Sequence, residues 1–79
     1  MIDKVLELVA QIMGIPLEQV TSASSPESIE QWDSLKHMHL VLAIEEAFGI
    51  QLTDEEIVMI KDVQSIVSLV EQRTGGLNV

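Results

Sequence analysis

The stretch Trp32-Asp33-Ser34-Leu35-Lys36-His37-Met38-His39-Leu40-Val41-Leu42-Ala43-Ile44-Glu45-Glu46-Ala47-Phe48-Gly49 decides the fold. Asp33 is a good N-cap, because its carboxylate can accept from the unpartnered N–H groups of a first turn. Gly49 tolerates the left-handed conformation in which helices commonly end. No Pro or Gly interrupts the apolar recurrence between them, so the pattern predicts a helix from Ser34 through Phe48. At roughly 100° per residue, Leu40, Val41, Ile44, Ala47 and Phe48 gather on one side, the expected core face. Leu35, Met38 and Leu42 gather opposite, interleaved with His39, Glu45 and Glu46. A single core-facing stripe cannot use both sets. Either a long third loop folds over the second set, or an apolar ridge with a charged rim runs along the surface from Ser34, as docking faces do.

Downstream, Thr53-Asp54-Glu55-Glu56 matches a capping box and opens a short third helix to about Ile60. Asp62 caps a fourth helix with Val63, Ile66, Val67 and Val70 as its buried stripe, and Thr74-Gly75-Gly76 ends it before a tail, about residues 74–79, expected to fray. Upstream, Ile2, Val5, Leu6, Val9, Ile12 and Met13 recur at three- and four-residue steps, the mark of a first amphipathic helix. Gly14 should close it and Pro16 makes continuation unfavourable. From there to Trp32 the chain contains the turn formers Thr21-Ser22-Ala23-Ser24-Ser25-Pro26, with Leu17, Val20, Ile29 and Trp32 as expected anchors to the core. The expected architecture is all-α: one domain over residues 1–79, a small four-helix bundle of three longer helices and a short third, with a long pinned loop between helices one and two.

Composition agrees with this plan and excludes several functions. The chain has 79 residues, 47% of them hydrophobic, with one Phe, one Trp and no Tyr, so an aliphatic core must hold it without a staple. With no cysteine there is neither a disulfide framework nor a thiolate, and any thioester cargo needs sulfur from a prosthetic group. A formal net charge of −9 repels nucleic acid and anionic lipid, so partners should present basic patches. The opening Met1-Ile2-Asp3-Lys4 breaks apolar residues with charges, unlike an export or membrane-insertion signal. A cytoplasmic monomer without membrane association is the expectation.

Asp33, Ser34, His37 and His39 together contain every residue type of a hydrolase triad. Geometry argues against one, since neighbouring Asp33 and Ser34 diverge too far to engage a shared histidine from both sides. His37 and His39, two apart on a helix, point in different directions with no third ligand at metal spacing, which leaves them as solvated histidines. Asp54-Glu55-Glu56 lacks the alternating acids and central glycine of a calcium loop and reads as helix capping.

Asp33-Ser34-Leu35 at a helix start, followed by Leu40, Val41, Ile44, Glu45, Glu46 and Phe48, resembles the acyl carrier protein family. The likeness continues through Leu52, Asp54-Glu55-Glu56, Ile60, Val63 and Ile66, about the last two thirds of the chain, while the first helix agrees only in type. The resemblance implies a carrier and not an enzyme, with a 4′-phosphopantetheine arm attached to Ser34, between Asp33 and Leu35, that holds an acyl group as a thioester. It implies a phosphopantetheinyl transferase and acyl-loading, condensing or acyltransferase enzymes as partners, docking through Leu35, Lys36, Met38, His39, Leu42, Glu45 and Glu46. It also implies an aliphatic interior, including Leu40, Ile44 and Ile60, that opens to shelter a chain. Two departures bear on the pathway. Gln31-Trp32 stands where general fatty-acid carriers usually have a small pair, and Lys36 and His39 stand where they commonly have acids. Both favour a dedicated carrier in a specialised lipid or secondary-metabolite pathway. The alternative is a helical adaptor that binds a partner through Leu35, Met38 and Leu42 and carries no covalent group.

Overall fold

The computed structural model describes residues 2–74, so the expected tail falls outside the described residues except for Thr74. The elements are α1 (Ile2–Met13), a single 3₁₀ turn (Leu17–Gln19), α2 (Ser34–Phe48), α3 (Asp54–Met59) and α4 (Val63–Arg73). Among the described residues there is no strand, and the four helices form the bundle anticipated from the sequence.

Each boundary has a local cause. Gly14 and Gly49 both take the left-handed conformation, with φ of 71° and 66°. At the first, the N–H groups of Gly14 and Ile15 both donate to the Ala10 carbonyl; at the second, those of Gly49 and Ile50 both donate to the Glu45 carbonyl. Each glycine thus turns the chain so that Ile15 or Ile50 packs back on the core, the apolar contact that accompanies such caps. At the start of α3, Thr53 accepts from the Glu56 N–H while Glu56 accepts from the Thr53 N–H, completing the expected capping box.

The core is aliphatic, as the composition requires. Val5, Val9, Ala10 and Met13 of α1 meet Leu40, Val41 and Ile44 of α2 and Val63, Ile66, Val67 and Val70 of α4. α1 packs against both α2 and α4, whereas α3 lies at the periphery. Three expected core positions do not go inside. Ile2, in the first turn of α1, is exposed. Ala47 is exposed too, while its neighbour Phe48 packs half-buried on the core. Leu17 is half exposed at 49%, because the 3₁₀ turn directs it outward; Val20, Ile29 and Trp32, at 4–5%, are the real anchors of the long loop.

That loop is more regular than its composition suggests. Thr21 and Ser24 close one turn, in which the Ser24 N–H donates to the Thr21 carbonyl and the Thr21 N–H to Ser24 Oγ; Ser25 and Ser28 repeat the pattern. The loop also completes α4. The first three N–H groups of a helix lack intrahelical partners, and here those of Val63, Gln64 and Ser65 donate to the Ser24 carbonyl, the Ser22 carbonyl and Asp62 Oδ1, at 2.8–2.9 Å. The loop that delivers the chain to Ser34 is therefore fastened at both its middle and its end.

Candidate functional site

Ser34 is the first residue of α2 and is exposed. Asp33 holds an extended conformation and accepts from the Lys36 N–H at 2.9 Å, and its carbonyl receives the His37 N–H at 2.8 Å, so α2 begins at the serine. The N–H groups of Ser34 and Leu35 have no partner within the helix, and the first turn of α2 contains no acid. The Ser34 hydroxyl therefore sits beside free backbone donors at the positive end of a fifteen-residue helix, a setting that suits a phosphodiester anion. This is the fit that a phosphate-linked arm requires of the chain.

The segment before Ser34 is positioned by a contact that the sequence did not disclose. Trp32 is 4% exposed, and its Nε1–H donates to His37 Nδ1 at 3.0 Å. With Nδ1 accepting, the ring proton lies on Nε2, which donates to the Ile57 carbonyl at 3.2 Å. The two rings also stack, with centroids 6.2 Å apart. His37 is thus not the solvated histidine expected from the sequence. It is half-buried, on the core side of α2 between Leu40 and Val41, and it ties the pre-serine loop, α2 and α3 together. The wheel did hold a signal: position 37 falls on the inward arc, where a polar side chain needs partners, and Trp32 supplies the matching donor. His39, on the outward arc, is exposed as expected.

No loop covers the second apolar set of α2 among the described residues. Leu35, Met38 and Leu42 remain 65%, 45% and 59% exposed, which removes the reading in which a loop folds over them. Glu46 is exposed beside them and Lys36 is half-buried. Glu45 is also half-buried, and its carboxylate accepts from the Leu52 N–H at 2.8 Å, so it braces the α2–α3 connection as well as bordering the ridge. Across the connection, α3 adds Val58 and Met59, both exposed, next to Asp54 and Glu55.

On the far side of α3, Arg73 of α4 reaches Glu56 and the Gln51 carbonyl. The hydrogen bond from Arg73, then that from the Thr53 backbone, holds the Glu56 carboxyl below the usual carboxylate range. Of the acids of α3, Glu56 is therefore the one engaged in helix capping and an ion pair, while Asp54 and Glu55 are exposed. Among the described residues no group of three His, Asp or Glu side chains is arranged to hold a metal ion. Leu40, Ile44 and Ile60 are packed within the core, at 1–5% exposure.

A family model described as a phosphopantetheine attachment site matches residues 3–70, most of the chain and all of the bundle but Ile2 and the last turn of α4. Among curated relatives, the acyl carrier protein of Solidesulfovibrio magneticus is 30% identical over 73 residues, spanning 92% of this chain and 94% of the relative. The acyl carrier protein of Thermosynechococcus vestitus is likewise 30% identical, over 75 residues covering 95% and 93% of the two chains. The chain belongs to the acyl carrier protein family. It is a carrier and not a catalyst, it bears a covalently attached 4′-phosphopantetheine, and it works with a phosphopantetheinyl transferase and acyl-handling enzymes. That group supplies, on a flexible arm, the thiol that this cysteine-free chain lacks. No helix of the described residues is long and apolar enough to cross a membrane.

Proposed function

We propose that Ser34 is the residue that receives the arm, and that the protein carries acyl intermediates in a specialised lipid or secondary-metabolite pathway as a cytoplasmic monomer. The observation that carries the reading is the exposed hydroxyl at the first residue of α2, next to unpartnered backbone donors and at the head of the exposed ridge Leu35, Met38 and Leu42. A partner that grips this ridge brings its active site to the root of the arm. Lys36, His39 and Glu46 border the ridge, with Glu45 partly engaged in the fold. Acids there and the net charge of −9 favour partners with basic surfaces. Lys36 and His39 put positive or titratable groups on the same face, which discriminates against enzymes built for a wholly acidic carrier; this supports a dedicated pathway over a general one.

Incubation with coenzyme A and a broad-specificity transferase, followed by intact-mass measurement, tests the attachment. The wild-type protein should gain the mass of one arm and Ser34→Ala none. A wild-type protein that stays at its original mass would instead support the adaptor that uses the same ridge without a covalent group. Mass analysis of the loaded arm, on protein purified from its own cell, tests the pathway. A short or unusual acyl or aminoacyl group is expected, and a ladder of ordinary fatty-acid intermediates would overturn the specialised role.

A further inference from the structure

A depression of about 340 Å³ opens directly beside Ser34, lined by Pro26, Trp32, Asp33, Ser34 and His37. Its two sides differ chemically. The only polar atom of the Trp32 side chain is bound to His37, and both ring nitrogens of His37 are engaged, so these side chains and the Pro26 ring offer carbon. Asp33 and Ser34 offer oxygen on the other side. The cavity is at the low end of the range for small-molecule sites, roughly 300–1,000 Å³. That is room for one segment of an arm and not for a long acyl chain.

We propose that this depression is a seat for the first segment of the arm, the pantoyl unit. The inference rests on Ser34 as the point of attachment. In that unit a quaternary carbon with two methyl groups stands four bonds from the serine oxygen, followed by a hydroxyl and an amide. A group so closely tethered cannot leave the neighbourhood of the depression, and the short tether gives it a high effective concentration there. The methyl pair matches the Pro26, Trp32 and His37 side in chemistry, and the hydroxyl matches Asp33, which has a second carboxylate oxygen beyond the one that takes the Lys36 N–H. Seating the root fixes the direction in which the arm leaves the protein while its thiol end stays free to travel.

Nuclear magnetic resonance of the loaded protein tests the seat. Once intact mass shows the arm in place, at least one pantoyl methyl should be shifted upfield of its position in free pantetheine by the indole ring current, with nuclear Overhauser contacts to Trp32 and His37. In Pro26→Gly, which opens one wall and leaves Ser34 in place, the shift should move back toward the free value. Loaded wild-type protein whose pantoyl methyls keep the free shifts and touch no ring would overturn the seat and leave the carrier reading intact. Failure to load at all would overturn the attachment at Ser34, and the seat with it.

Discussion

Replacing His37 by Phe tests the bridge that positions Ser34. The substitution keeps an aromatic ring to stack on Trp32 and has similar helix propensity, but it removes both nitrogens. Trp32 is 4% exposed, so its Nε1–H is left without a partner in a dry place, at a cost of about 1–3 kcal/mol. Losing the bond to the Ile57 carbonyl adds about 0.5–1.5 kcal/mol. The expected total is about 2–4 kcal/mol, a large share of the stability of a chain this short. At about 4–8 °C per kcal/mol for domains of this size, the midpoint of thermal unfolding should fall by on the order of 10–30 °C. Urea unfolding followed by circular dichroism gives the energy, and a cycle with Trp32→Phe isolates the pair, because the double variant has neither donor nor acceptor. A coupling of about 1–2 kcal/mol is expected. If His37→Phe costs under about 0.5 kcal/mol and the coupling vanishes, water already satisfies the indole and the bridge does not hold the loop.

Met38→Asp and Leu42→Asp place a charge on the exposed ridge; arm transfer and acyl loading should each slow by on the order of 10- to 100-fold, the equivalent of one buried apolar side chain, with thermal unfolding almost unchanged. Unfolding of either variant would place that face inside. Asp62→Ala removes the cap of α4 and should cost about 1 kcal/mol in urea unfolding, with faster amide exchange confined to the first turn of α4. For Glu56, the folded carboxyl titrates below its unfolded value, so its stabilisation is complete above the ordinary glutamate range and is lost as the pH falls through the depressed folded value. Arg73→Gln should therefore lower the unfolding midpoint at neutral pH, and the gap to wild type should close in acid; a gap that is constant with pH would show that the pair contributes nothing through its charge.

Much of this organisation was legible because it depends on residues close together in sequence. The caps Asp33, Thr53 with Glu56, and Asp62, and the stops Gly14 and Gly49, act within one turn, and α2, α3 and α4 begin, and α1 and α2 end, where those residues required. The two faces of α2 were legible for the same reason, since helix geometry separates Leu40 and Ile44 from Leu35 and Leu42 whatever else the chain does. Readings that depended on distant partners fared differently. His37 looked solvated because nothing near it in sequence marks the Ile57 carbonyl, twenty residues on, as its acceptor. Ser22 and Ser24 read as plain turn formers, although their carbonyls complete α4 across the fold. Leu17 and Ala47 misled in the opposite direction: hydrophobicity says that a residue can be buried, and only the path of the chain says whether the core reaches it.

The same distinction separates α3 from the rest of the bundle. α1, α2 and α4 are joined through a continuous aliphatic core, whereas α3 has six residues, too few to persist alone, and none of them is fully buried. Ile57 packs half-buried on the core, and the rest of α3 is held by its own capping box and by polar links made from outside: Arg73 to Glu56 and the Gln51 carbonyl, Glu45 to the Leu52 N–H, and His37 to the Ile57 carbonyl. Each such bond contributes about 0.5–1.5 kcal/mol net, so the free energy of lifting α3 is a few small polar terms plus the apolar contacts of Ile57 and Ile60, less than the continuous core that joins the other helices. Ile60, at the end of α3, packs on the core that includes Leu40 and Ile44. An aliphatic cargo that displaced α3 would meet that core without first unfolding the bundle, and His37 would let go of Ile57 while still able to hold Trp32, leaving the approach to Ser34 in place.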